Sequence, residues 1–343
     1  MVVKTKVIKL NPLDIDQEVI NQAATIIKKG GLVAFPTETV YGLGADALNP
    51  KAVEKIFEVK KRPHYDPLIV HIPTPECLSE MAREVNKVIL DLTAAFWPGP
   101  LTLVVKKAQH IPDVVTANLD TVAIRMPAHP VALALLKTAA TPIAAPSANL
   151  FGRASPVSAE HVLQDLQDKI ELILDAGKTD VGVESTILDV TQRPFRILRP
   201  GGITIEALRA VVADIVSYQG NQVLSPGMFK RHYSPKARLV LAYGRGLSEV
   251  ESVKHLASEF AKQGYLVGIM AKEENRHCYN GSFNVKVFGS EKDLSSCAVN
   301  LYSILREFDK ENTQIIIAET VKEEGLGVAI MDRLRRAAAR TSE

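Results

Sequence analysis

Short β-rich runs alternate with helix-patterned stretches along nearly the whole of this 343-residue chain, and that alternation does most to narrow its fold. It is the signature of α/β layering with an at least partly parallel sheet. The first series of expected strands is LVAF (32–35), LIVHI (68–72), LTLVVKK (101–107), TVAIRM (121–126), PIAAP (142–146), IELILDAG (170–177), STILDV (185–190) and FRILRPG (195–201). Helices are expected between them at about 50–60, 76–96, 129–139, 158–168 and 204–216. The pattern then stops. Residues 217–237 contain Gly220, Pro226, Gly227 and Pro235 without apolar periodicity and read as a linker. A shorter alternation follows, with strands at 238–244, 265–271, 285–289 and 314–320 and helices near 247–263, 292–309 and 326–340, as in a small parallel α/β domain.

Length agrees with two domains at roughly 150 residues each. Hydrophobic residues at 46% and charged residues at 23% give the balance of a globular protein and exclude disorder or collagen-like architecture. No apolar run approaches the roughly 18 residues of a membrane span, and the opening MVVKTKVIKL lacks the apolar core of a secretory signal, so a cytoplasmic protein without membrane partners is expected. Cys77, Cys278 and Cys297 are odd in number and widely spaced, which suggests neither a disulfide framework nor a zinc site. They read as core or near-surface thiols. Lys plus Arg number 41 against 39 Asp plus Glu, and residues 1–212 carry equal numbers of each sign. That balance favours a small-molecule enzyme over a nucleic-acid clamp.

Several motifs imitate chemistry without its context. GLGADA places Gly42, Gly44 and Ala47 in a dinucleotide-like G-x-G-x-x-A spacing with Asp66 about twenty positions on, but PTETVY intervenes between strand and glycine. GKT at 177–179 has Leu172 where a P-loop needs its first glycine, and a polar turn is the better reading. No H-x-x-x-H pair, acidic calcium loop or G-x-S-x-G elbow is present.

Other segments make a consistent inventory. FPTETVYGLG (35–44) leaves a strand through Pro36 into Thr37, Thr39 and Tyr41 and then two glycines, a loop expected to be flexible and rich in hydroxyls. Lys60, Lys61 and Arg62 close a helix before Pro63, either as cations favoured by the helix dipole or as phosphate ligands. His71 lies on an apolar strand, as a hydrogen-bonded core histidine or a ligand contact. Arg125 lies inside another, where an unpartnered guanidinium is expensive to bury, so a carboxylate of the protein or of a ligand should face it. APSANLFGRASP (145–156), ESTILDV (184–190) and ILRPGG (197–202) add Ser, Asn, Arg and Gly at strand ends, where open α/β sheets collect ligands. Hydroxyls, amides and cations without a placed nucleophile suit nucleotidyl or phosphoryl transfer by positioning and charge stabilisation.

In this combination the residues resemble the threonylcarbamoyl-AMP synthase family in its long, two-domain form. FPTETVYGLG, the K-x-R of Lys60 and Arg62, AIRMP, the S-x-N of Ser147 and Asn149, STILD, LRPG and SPGMFKRHYSP carry the match over about 35–236. The resemblance implies a YrdC-like catalytic domain over 1–212, a twisted mixed sheet around a concave basic pocket. A linker or lid over 213–236 and a small Rossmann-like domain over 237–343 would follow. It implies synthesis of threonylcarbamoyl-AMP and pyrophosphate from L-threonine, bicarbonate and ATP, for modification of the adenosine beside the anticodon of certain transfer RNAs.

Carried over by position, the L-threonine side resembles Thr39, His71, Arg125, Ala145 and Ser185. The ATP side resembles Lys60, Arg62, Asp66, Thr121, Ser147, Asn149, Ser155, Arg199, His232 and Tyr233, with Lys60 and Arg62 in catalytic roles. Asp66 departs from the many relatives with asparagine nearby. Mg2+ would be held mainly through ATP rather than in a protein cage. The implied partner is the downstream tRNA threonylcarbamoyl transferase machinery, beside weak RNA binding. An RNA-binding module and a dehydrogenase are the rival readings, disfavoured by charge balance and by the broken glycine context.

Overall fold

A computed structural model describes residues 3–220, 222–244, 248–279 and 283–338, and its strands form two sheets. Two units hold them. The first comprises the chain up to Phe151 with Ser155–Asp180 and Glu184–Met228; the second comprises Gly152–Ala154, Val181–Val183 and the chain from Phe229 on.

The sheet of the first unit contains β1 (Lys6–Lys9), β2 (Val33–Phe35), β3 (Gly42–Asp46), β4 (Ile69–His71), β5 (Leu101–Lys106), β6 (Thr121–Arg125), β7 (Ile143–Ala144), β8 (Leu172–Asp175), β9 (Thr186–Asp189), β10 (Phe195–Arg199) and β11 (Ile215–Ser217). Their spatial order is β1-β8-β2-β3-β7-β4-β6-β5-β9-β10-β11. Pairing is mixed: β4 with β6 and β5 with β9 run parallel, while β2 with β3, β5 with β6 and β9 with β10 run antiparallel. The apolar runs in β2, β4 and β5 are buried because helices or loops cover both faces.

Helix Pro50–Lys60 shows how sequence directs a cation inward. Asn49 caps it by accepting from the backbone N–H groups of Lys51 and Ala52, and its buried stripe runs Ala52, Val53, Ile56, Phe57 and Lys60. Lys60 continues that stripe one turn beyond Ile56. Lys61 then ends the helix at φ +55° and is exposed, while Arg62 turns back in. The three cations are therefore not a solvated run.

Two elements lie where the sequence pattern assigns none, edge strand β1 and helix Gln17–Lys28, and three expectations need correction. Gly42 and Gly44 lie in β3, not in a flexible loop. The expected helix 76–96 is a short turn at Pro75–Cys77, a helix at Leu78–Met81 and a separate helix at Lys87–Phe96, because Ala82 is extended and Asn86 caps the second start. The expected helix 204–216 ends at Val211, and Ile215–Ser217 instead pairs with β10 as β11.

The linker also begins inside the first unit. Tyr218, Leu224 and Met228 pack on Ile69, Val104, Ala123, Ile187 and Leu198.

The second unit has a parallel sheet of β12 (Arg238–Leu241), β13 (Val267–Lys272), β14 (Asn284–Gly289) and β15 (Ile315–Ala318) in the order β12-β15-β13-β14. Its helices are Glu249–Lys262, Leu294–Lys310 and Gly327–Ala338. Residues 247, 339 and 340 of the expected helices lie outside the described residues. The cysteines are free thiols, and burial pushes that of Cys297 up to about 12.

Candidate active site

Strand register assembles one row of side chains across the first sheet. His71 on β4 stands opposite Arg125 on β6. Leu103 stands opposite Ile124, so one step further Thr102 on β5 meets Arg125. Thr102 is opposite Ile187 on β9, and Ile187 is opposite Arg199 on β10. Directly opposed residues share a face, so His71, Arg125, Thr102 and Arg199 look the same way. Two residues along, Ile69, Ala123 and Val104 form the apolar floor beneath the linker's Leu224 and Met228.

Arg125 is 3% exposed, and its carboxylate comes from Glu38 at 2.6 Å. Its NH1 donates to Thr39 Oγ1 at 3.0 Å and its Nε to the Gly99 carbonyl at 3.2 Å. Thr37 Oγ1 donates its proton to the Val40 carbonyl at 2.6 Å, so across their 2.8 Å contact Thr39 is the donor to Thr37. Thr39 thereby accepts from Arg125 and is fixed in rotation. Burial, then the Arg125 charge, pushes the His71 imidazole down to about 3 and keeps it neutral. Its Nδ1 has no hydrogen-bond partner. Ala145 donates its N–H to the Ile69 carbonyl at 2.9 Å, just beyond β7.

Ser185 joins this row to Arg199. Its Oγ lies 2.7 Å from Thr102 Oγ1, and its carbonyl accepts from Arg199 NH2 at 2.9 Å and Nε at 3.2 Å. Arg199 NH1 reaches the Pro226 carbonyl at 3.3 Å.

A second group surrounds Lys60. Its Nζ donates to the carbonyls of Ser147 and Asn149, both at 2.5 Å, closing the S-x-N turn around an ammonium. Arg62 pairs with Asp66 at 2.8 Å and donates to the Pro67 carbonyl at 2.7 Å. Burial lifts the Asp66 carboxyl to about 6, while Arg62, Lys60 and Arg199 pull it the other way. That electrostatic reach sets three cations around one carboxylate. Thr121, half-buried at the start of β6, lies two residues before the Ala123 that faces Ile69, and so is level with Pro67. Ser155 is fully buried and donates to Glu184 Oε1 at 2.5 Å.

His232 and Tyr233 belong to the second unit, with ring centroids 4.0 Å apart and the Arg333 guanidinium 4.9 Å from the Tyr233 ring. Glu38, Thr102 and Glu184 were absent from the expected site. The demand of Arg125 for a carboxylate was the signal for Glu38, but residue order alone does not single it out among the acidic residues.

The decoy glycines have a packing reason. A Cβ on Gly44 would lie 2.8 Å from both Ile143 and Phe35, and one on Gly42 3.3 Å from Ala145. A strand in place of a helix-opening turn removes the dinucleotide reading. Among the described residues no group of three or more His, Cys, Asp or Glu is placed to hold a metal, and no helix is long and apolar enough to cross a membrane.

Residues 25–201 match the Sua5/YciO/YrdC family model, described as telomere recombination, and 203–339 match the model for the threonylcarbamoyl-AMP synthase C-terminal domain. Threonylcarbamoyl-AMP synthase of Pyrococcus abyssi is 44% identical over 94% of this chain and 95% of its own length. The chain belongs to the threonylcarbamoyl-AMP synthase family. The family member from Bacillus subtilis is 45% identical, over 93% of this chain and 92% of its own. The crystal structure of P. abyssi Sua5 complexed with L-threonine superposes with a TM-score of 0.92, at 42% identity and with 97% of each chain covered. The mixed first sheet and parallel second sheet are thus the architecture of a long-form threonylcarbamoyl-AMP synthase.

Proposed function

We infer that this chain makes threonylcarbamoyl-AMP and pyrophosphate from L-threonine, bicarbonate and ATP, and that the product feeds the threonylcarbamoyl transferase machinery acting on transfer RNA in the cytoplasm. Similarity to curated synthases over almost the full length carries this reading. The two side-chain groups, one around Arg125 and one around Lys60, support it chemically.

On this reading Thr39, His71, Arg125, Ser185 and the backbone at Ala145 take the amino acid. Lys60, Arg62, Asp66, Thr121, Ser147, Asn149, Ser155 and Arg199 take the nucleotide. Threonine and bicarbonate first give the N-carboxylated amino acid with loss of water and a proton. A carbamate oxygen then attacks the α-phosphorus, and pyrophosphate leaves. Lys60, Arg62 and Arg199 offset the charge that builds on the phosphates. Magnesium would arrive on the phosphates, held mainly through ATP, and would neutralise part of the same charge. The SPGM turn, with Gly227 at φ +81°, serves as the hinge of a lid that carries His232 and Tyr233.

The test is pyrophosphate release that requires both threonine and bicarbonate. Removing a single stabilising cation, by Lys60→Ala or Arg62→Ala, should slow it by about a hundredfold to a thousandfold. Unchanged release rejects the catalytic roles, and release indifferent to threonine rejects the activity.

A further inference from the structure

We propose that Glu38 is the acidic half of a zwitterion clamp: Arg125 takes the α-carboxylate of the amino acid while Glu38 takes its α-ammonium. The proposal rests on the reading of this site as a threonine pocket and assigns a task to a residue outside the expected set.

Glu38 and Arg125 form an ion pair at 2.6 Å with little of either side chain exposed. Neither group is exhausted by its protein partners. Of the five N–H bonds of Arg125, one goes to Gly99, one to Thr39 and one faces Glu38, which leaves two for a ligand carboxylate. Glu38 Oε1 faces Arg125 and Oε2 accepts the Ala128 N–H at 3.1 Å, and each carboxylate oxygen accepts more than one bond. The Ala128 N–H also fixes the carboxylate, so it is anchored to backbone at one oxygen and to Arg125 at the other.

The surroundings complete the pattern. His71, in register beside Arg125, is neutral and presents an Nδ1 without a partner. A cationic donor, an anionic acceptor and a neutral imidazole, with one donor and one acceptor nitrogen, match the carboxylate, ammonium and hydroxyl of a β-hydroxy amino acid. Charge is matched as well. Arg125 and Glu38 sum to zero, as does a zwitterion. A free carboxylic acid of the same shape would share Arg125 with Glu38 and set two carboxylates on one guanidinium with no ammonium between them, and so would be rejected.

Calorimetry on the full chain tests this with two probes, L-threonine and 3-hydroxybutanoate, which has hydrogen in place of the amino group. The parent chain should prefer threonine by about tenfold to a hundredfold, the range for a hydrogen bond to a charged group. Glu38→Gln should lose most of that preference through weaker threonine binding, while its affinity for 3-hydroxybutanoate stays close to that of the parent chain. Equal binding of both probes to the parent chain overturns the clamp without recourse to any variant, and so decides the matter even where Glu38→Gln does not fold. An undiminished preference in a folded Glu38→Gln overturns it too. Failure of the parent chain to bind threonine at all overturns the threonine pocket itself, a separate and distinguishable result.

Discussion

Burial and charge pull Asp66 in opposite directions. It is fully enclosed, and its carboxyl sits near 6 because lost hydration outweighs the attraction of Arg62, Lys60 and Arg199. Between the ordinary aspartate value of 3.8 and about 6, the folded chain holds a proton that the unfolded chain has released. Stability must therefore fall as pH rises through that window and level off above it. Asp66→Asn removes the titration but keeps the shape. Relative to the parent, the variant should gain roughly 2 kcal/mol of stability from pH 4 to pH 6, read from urea midpoints across that range. Two curves that run parallel would place the carboxyl at its ordinary value and disprove the burial argument. At this same scale, sequence reasoning reached the cations but not Glu38, the carboxylate that faces Arg125. A guanidinium inside an apolar strand announces that a carboxylate must face it; which one depends on a loop conformation fixed by Thr37, Thr39 and the Ala128 N–H.

Elements were legible where apolar period and length agreed, as in LIVHI, TVAIRM and the helix Pro50–Lys60. They were lost where packing overrode propensity. Gly42 and Gly44 are poor strand formers, yet β3 needs them because Phe35, Ile143 and Ala145 leave no room for larger residues. Helix Gln17–Lys28 was readable in principle, since Asp16 caps it and Ile20, Ala23, Ala24 and Ile27 repeat at helical spacing. The junction of β9 and β10 depends on a third glycine. A Cβ on Gly201 would sit 2.3 Å from the Glu184 carbonyl oxygen and 2.5 Å from the Thr186 nitrogen, which are backbone atoms that cannot rotate away. Gly201→Ala should therefore push β10 off β9, cost about 3 kcal/mol in denaturant unfolding, and weaken the hold of Arg199 on Ser185. The substitution should lower threonine and ATP affinity together, because Ser185 and Arg199 stand on the two sides of the proposed site. A variant as stable as the parent would mean that the junction has slack.

For the whole molecule, the decisive boundary lies inside the segment that reads as a linker. Its Pro and Gly content marks a break in periodicity, but three apolar residues at irregular spacing, Tyr218, Leu224 and Met228, carry no pattern that would reveal their packing on the first sheet. Cutting after residue 212 removes β11 and that apolar cover, so Ile69, Val104, Ala123, Ile187 and Leu198 would face water, at a cost approaching about 1.5–3 kcal/mol for each large side chain left bare. Cutting after residue 228 keeps them, together with the Pro226 carbonyl that Arg199 reaches. Fragment 1–228 should thus melt well above fragment 1–212 and bind L-threonine with the affinity of the full chain, because its Arg125 and Ser185 networks are complete. It should nevertheless lose pyrophosphate release, since the proposed lid residues His232 and Tyr233 are missing. Equal melting of the two fragments would deny the linker its structural share. Full pyrophosphate release by fragment 1–228 would deny the lid, and would assign ATP turnover to the first unit alone.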